Sequence, residues 1–191
     1  MIITNIIKNT IDIIFPLVLI VVLTPIMVAV IFTIYISDGC PVIFKQSRVG
    51  KNGNLFRFYK FRTLKKNMNP YGDSPQSKND SNIIKGGSIL RAYSLDELPQ
   101  LFNILKGEMS VVGPRPLFQK HIQNLSKFHK QRLMVKPGLT GLSQIYMRSI
   151  LLSKKSLDME VKYVKNNSIL LDLIIMVKTI KVIAKKEGVF H

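Results

Sequence analysis

The sequence predicts an α+β, helix-rich chain in two parts: a membrane-associated helix over residues 1–38 and a small second domain over 39–191. Three observations carry that expectation. Residues 13–37 hold no charged side chain. Two short β-prone segments flank the turn-rich run Gly50-Lys51-Asn52-Gly53-Asn54. Further along, three stretches read as helices, and between them lie runs rich in Pro and Gly.

The uncharged run is dominated by Ile, Val, Leu and Phe. At about 1.5 Å per residue it is long enough to cross a hydrocarbon core of about 30 Å. A cleaved signal peptide fits poorly: Lys8 is the only n-region charge, the run is too long, and no small-x-small cleavage site follows. Pro16 and Pro25 lie inside it, with Thr24-Pro25 at its middle. A proline there removes a backbone hydrogen bond, so a kink is expected, with the Thr24 hydroxyl available for a carbonyl that Pro25 frees. A straight span and a bent, re-entrant hairpin are both open. Lys45, Arg48, Lys51, Arg57, Lys60, Arg62, Lys65 and Lys66 follow, which marks this side as cytoplasmic.

Residues 42–45 and 55–61 read as a β-hairpin. The polar stretch 67–87 reads as a surface loop. Helices are expected over about 94–105, stopping near Gly107, over about 116–134, and in the last thirty residues. Residues 169–186 combine an apolar face with Lys178, Lys181, Lys185 and Lys186. That pattern suits an amphipathic helix lying on an anionic leaflet, and equally a core helix with a solvated lysine edge. Asp172 and the lysines argue against a second full span.

The chain carries 28 Lys and Arg against 11 Asp and Glu, a net charge of +17, with 47% hydrophobic residues. Disorder is excluded and an anionic partner implied: nucleic acid, a membrane surface or a phosphorylated substrate. One cysteine, Cys40, rules out an intrachain disulfide and a thiolate zinc site, and suits a reducing compartment. His121, His129 and His191 form no metal-ligand pattern.

Asp96-Glu97 is the only adjacent pair of acids, and the windows 39–72 and 109–157 carry cations but no acid. Ser94-x-x-Glu97 matches a capping box, in which Ser94 and Glu97 satisfy the first amides of a helix. The other reading makes one carboxylate a nucleophile or base and the other a holder of a divalent cation. Gly113-Pro114-Arg115-Pro116 clamps one arginine between two prolines, which suits bidentate contact with phosphate. Lys136-Pro137-Gly138-Leu139-Thr140-Gly141 is similar to a phosphate-contacting loop without P-loop spacing. Tyr59-Lys60-Phe61-Arg62-Thr63 places cations at a strand end.

In this order, these elements resemble the bacterial sugar transferase family, the small monotopic phosphoglycosyl transferases. The resemblance covers nearly the whole chain. Its most specific blocks are Arg91-x-x-Ser94-Leu95-Asp96-Glu97-Leu98-Pro99-Gln100-Leu101-Phe102-Asn103 and Lys106-Gly107-Glu108-Met109-Ser110-Val111-Val112-Gly113-Pro114-Arg115-Pro116. It implies transfer of a sugar phosphate from a nucleotide (UDP) sugar to polyprenyl (undecaprenyl) phosphate, with UMP released, as the first step of surface glycan synthesis. It further implies Asp96 as covalent nucleophile, Glu97 as the Mg²⁺ ligand, and Arg115, Lys60 and Arg91 as phosphate-binding cations. The anchor becomes a re-entrant helix-break-helix, broken at Thr24-Pro25, under a catalytic domain on the cytoplasmic face of the inner membrane. The implied partners are the two substrates and membrane lipid, with room for a homodimer and no nucleic acid.

The chain departs from the family pattern at Met147, where Gly is common, at Lys136, where Arg is usual, and at Glu160, where many members carry Asp. From another class, charge alone supports a membrane-anchored basic nucleic-acid-binding or scaffold protein. That alternative has no use for the acidic pair.

Overall fold

A computed structural model describes residues 2–66, 80–147 and 152–185, with side chains from Ile6 onward. Most of the polar loop expected at 67–87 lies outside the described residues. A single helix, α1 (Ile2–Asp38), takes up the whole apolar run. Its 37 residues extend about 55 Å at 1.5 Å per residue. It is the one described helix long and apolar enough to cross a membrane.

Helical structure in α1 continues through Pro16 and Pro25, so the expected break is not a gap in the helix. The expectation for Thr24 needs correction. Pro25 deprives the Val21 carbonyl of its donor, but the Thr24 hydroxyl donates one residue earlier, to the Ile20 carbonyl at 2.6 Å.

The hairpin forms as expected, with its first strand longer. β1 (Ile43–Val49) pairs antiparallel with β2 (Leu55–Phe61) around a 3₁₀ turn over Lys51–Gly53. The helix expected at 94–105 is present in two parts. α2 (Gly87–Ala92) precedes a 3₁₀ turn at Leu95–Glu97, which leads through Leu98 and Pro99 into α3 (Gln100–Leu105). The proline is tolerated there because first-turn amides have no helical acceptor to lose.

A second, parallel sheet was not anticipated: β3 (Ser110–Val112) with β4 (Gly138–Thr140). The glycine-rich run therefore serves as a strand packed against the backbone of the Gly113-Pro114 segment. A Cβ on Gly138 would lie 2.1 Å from the Gly113 amide nitrogen, so no other residue fits without moving that segment.

The single helix expected over 116–134 is absent. Leu117 is extended and accepts from the Val49 amide at 3.0 Å. Only α4 (Gln119–Gln123) and a 3₁₀ turn over His129–Met134 are helical. Ser126 restarts the chain by accepting the His129 amide on its hydroxyl. α5 (Leu142–Tyr146) follows.

The C-terminal region holds two helices, α6 (Lys154–Asn166) and α7 (Ile169–Ala184), each capped by a serine, Ser153 and Ser168. The signal for α6 was present in Leu157, Val161 and Val164, one helical face at i, i+4, i+7.

The main core joins both sheets to α3, α6 and α7 through Phe56, Phe58, Leu101, Ile104, Met109, Tyr163 and Ile175, with Phe15, Leu19 and Ile20 of α1 packed on it. Farther along α1, Val30 and Ile34 pack with Phe61, Ile84 and Leu90. The opposite side of α1 leaves Val18, Val21, Val22, Phe32 and Ile36 exposed. α7 divides likewise: Asp172 and Ile175 are buried, while Leu170, Leu173, Val177 and Ile180 are exposed.

Candidate active site

Two elements bring the acidic pair against the first cation. β2 presents Lys60 one residue from its end, and the 3₁₀ turn presents Asp96 and Glu97. Asn103 of α3 ties these elements together. Its side-chain oxygen accepts the Tyr59 amide at 3.1 Å, and its nitrogen donates to the Arg57 carbonyl at 2.7 Å and to Glu108 Oε2 at 2.6 Å. The turn itself is set by Ser94, whose φ of 54° lies in the left-handed region. Its hydroxyl makes no cap to the helix, so the capping-box reading fails.

Lys60 Nζ lies 2.7 Å from Asp96 Oδ2 and 3.5 Å from Glu97 Oε1. Arg115 Nη2 donates to Glu97 Oε1 at 3.0 Å. Arg91, in the last turn of α2, feels the charges of Asp96, Asp80 and Glu97. Thus Lys60, Asp96, Glu97 and Arg115 meet at contact distance, with Arg91 in electrostatic reach. Thr24 and Pro25 belong instead to the exposed part of α1.

Asp96 is only 2% exposed. Burial pushes its carboxyl above the usual carboxylate range; Lys60 pulls it back down, Glu97 pushes it up, and Arg91 lowers it. Lys60, Arg91 and Arg115 thus set three positive charges around the Asp96 and Glu97 carboxylates, with Asp80 a further acid acting on Arg91.

A description of the bacterial sugar transferase family matches residues 3–186. The chain belongs to the bacterial sugar transferase family. Its relatives include sugar transferase EpsL of Bacillus subtilis, 39% identical over 85% of this chain and 81% of that protein. The undecaprenyl-phosphate galactose phosphotransferase of Salmonella typhimurium is 35% identical over 96% of this chain and 41% of its own length. The UDP-N-acetylgalactosamine-undecaprenyl-phosphate N-acetylgalactosaminephosphotransferase of Aeromonas hydrophila is 34% identical over 95% and 44%. The chain thus spans less than half of the latter two.

In this member of the family, several residues beyond the expected ones shape the site. Glu160 and Arg132 are 2% and 3% exposed and pair at 2.8 Å. They reach the backbone of Arg115, whose amide donates to Glu160 Oε1 at 3.3 Å and whose carbonyl accepts from Arg132 Nη2 at 2.5 Å. Neither role is readable from spacing, because 17 and 45 residues separate the partners. Lys8 and Asp12 of α1 were missed for the same reason. Asp12 accepts from the Ser110 hydroxyl and the Val111 amide at 2.9 and 2.8 Å, and Lys8 pairs with Asp172.

Proposed function

We propose that this chain is a membrane-bound phosphoglycosyl transferase that moves a sugar phosphate from a nucleoside diphosphate sugar, with UDP the expected nucleotide, to a polyprenyl phosphate. The observation that carries this reading is the sealed Asp96 carboxylate held 2.7 Å from Lys60, with Arg115 fixed on the neighbouring Glu97. The names of the Salmonella and Aeromonas relatives, which specify undecaprenyl phosphate, support the acceptor class.

Asp96 attacks the sugar-bearing phosphorus of the donor. A bond forms between its carboxylate oxygen and phosphorus, and the bond to the nucleoside monophosphate breaks. An oxygen of the polyprenyl phosphate then attacks the same phosphorus and restores the free carboxylate. Each step splits a difficult exchange between a soluble and a lipid substrate into a simpler one.

A carboxylate approaching a diphosphate meets repulsion of about 4 kcal/mol per close charge pair at an effective dielectric near 20. Lys60, Arg91 and Arg115 offset that repulsion and stabilise charge on the departing phosphate. Lys60 also works against burial, lowering the Asp96 pKa and so favouring its ionised form.

Mg²⁺ fits the donor set. It commonly takes one or two carboxylates and completes its shell with substrate phosphates and water. Among the described residues no group of three or more His, Cys, Asp or Glu side chains forms a metal site. Glu97 is the residue to hold it, and the ion would supply charge neutralisation at the phosphates.

The surface supports a monotopic anchor, and the cations that follow α1 support a cytoplasmic domain. Near its start, α1 is tied to the domain through Lys8 and Asp172; at its end, it is tied through Asp38 and Arg62. A helix that left the domain to cross the bilayer could not keep both contacts. The exposed apolar rows of α1 and α7 then face the same lipid surface, the plane where a polyprenyl phosphate presents its headgroup. The inner membrane is the expected location, with the released glycan precursor entering surface polysaccharide synthesis.

The test is a panel of nucleoside diphosphate sugars offered with undecaprenyl phosphate and Mg²⁺. Release of nucleoside monophosphate, together with a phosphosugar adduct on Asp96, is the expected result. No release with any donor would reject the proposal.

A further inference from the structure

Between Gly113 and Leu117 the two prolines carry no amide hydrogen, so Arg115 has the only backbone donor in the Pro-Arg-Pro unit. That donor goes to Glu160 Oε1, which also accepts from the Ser143 hydroxyl at 3.2 Å. The Arg115 carbonyl goes to Arg132 Nη2, while Arg132 Nε meets Glu160 Oε2 at 2.8 Å. One buried ion pair therefore holds both polar groups of a single residue's backbone. On the N-terminal side of Arg115, the Gly113 amide donates to the Thr140 carbonyl at 2.9 Å and the Pro114 carbonyl accepts from the Gly138 amide at 2.9 Å. The Arg115 side chain makes its hydrogen bond outside this network, to Glu97, although the Glu160 charge also reaches it.

A buried ion pair is seldom justified by stability alone, because desolvation offsets much of the attraction. Its directional use here suggests another purpose. The planar Arg132 fork serves Glu160 and the Arg115 carbonyl at once, which a lysine ammonium on a flexible stem cannot reproduce.

We propose that Glu160 and Arg132 are positioning residues that fix the Arg115 backbone and thereby set where its guanidinium meets the donor phosphate. The proposal rests on the reading of Arg115 as a phosphate-binding residue. It assigns a function to a buried carboxylate outside the Lys60, Asp96, Glu97 and Arg115 cluster.

The test is a double-mutant cycle on the full chain in membranes or detergent, with thermal stability measured for each variant and kinetics read well below its transition. Arg132→Lys keeps a cation beside Glu160 but loses the fork. It is expected to lower kcat/KM for the donor by about 10- to 100-fold, the scale of a displacement near 1 Å. In an Arg115→Ala background the same change is expected to cost less than about 2-fold, because a residue acting through another has nothing left to position. Should Arg132→Lys not fold, Glu160→Gln runs the same cycle: it keeps the shape and removes the charge that holds Arg132 in place. Additive losses in the two backgrounds, or unchanged kinetics in the single variant, overturn the positioning role while leaving Arg115 in the site. Full activity of Arg115→Ala alone overturns the phosphate-binding reading and this inference with it.

Discussion

At Asp96 two demands conflict. A nucleophile must be ionised, yet this carboxyl is sealed from water, and burial favours its neutral form. A carboxyl whose pKa rises on folding takes up protons as the chain folds. The folded state is therefore favoured by acid, and its stability falls as pH climbs from the ordinary value of 3.8 through the raised one. In the proposed nucleophile role, ionising this buried side chain opposes folding stability. Asp96→Asn should abolish turnover and the phosphosugar adduct while leaving thermal stability equal or higher, a trade-off seen where sites store strain. Retained turnover would remove Asp96 as nucleophile. Lys60 works in the opposite direction, as the largest influence lowering the Asp96 pKa. Lys60→Met should cut kcat by about 100-fold, the scale of losing one aligned charge. What activity remains should lose its acid limb at a higher pH than wild type, and an unmoved limb would dissociate Lys60 from the ionisation of Asp96.

The elements around the dyad are held by few but specific contacts, and Asn103 makes three of them. Asn103→Leu should strip the half-buried Tyr59 amide and the carbonyl of the exposed Arg57 of their partner, costing about 1–3 kcal/mol. Thermal unfolding should show the loss as a transition lowered by several degrees, and an unchanged transition would mean that the α3–β2 junction is held by packing alone. Much at this scale was legible in the chain: the hairpin from its Asn-Gly turn, the apolar helix from its uncharged run, and the dyad from its isolation between cationic segments. What escaped depends on distant partners. Residues 138–140 form a strand only because β3 and the Gly113 backbone come close enough to meet them. Leu117 is extended because Val49 binds it, which no local propensity encodes. The 3₁₀ turn under Asp96 follows from the left-handed Ser94, where the local pattern favoured an ordinary helix cap.

At the scale of the whole molecule, a 37-residue apolar helix must serve the site proposed to take a lipid phosphate. How it does so lies in where its polar residues go. Lys8 meets Asp172, Tyr163 and the Val112 carbonyl; Asp12 is buried against Ser110 and Val111; Asp38 meets Arg62. These contacts sit at opposite ends of α1, and β3, at the root of the Pro-Arg-Pro segment, touches two of them. The anchor and the site therefore share a strand, and detaching the start of α1 should disturb both. Lys8→Met should leave the buried Asp172 carboxylate with Tyr163 but without a cation. Loss of one partner from such a pair costs about 3 kcal/mol, less where water still reaches it. Activity in detergent should fall together with thermal stability, and Asp12→Asn, which keeps an acceptor for Ser110 and Val111, should do far less. The same contacts predict the topology: a cysteine at residue 2 should be labelled by a membrane-impermeant reagent only after the cytoplasmic side is opened. Labelling from the periplasmic side of intact cells would mean that α1 crosses the bilayer, and the clasp through Lys8 could not then exist in the membrane.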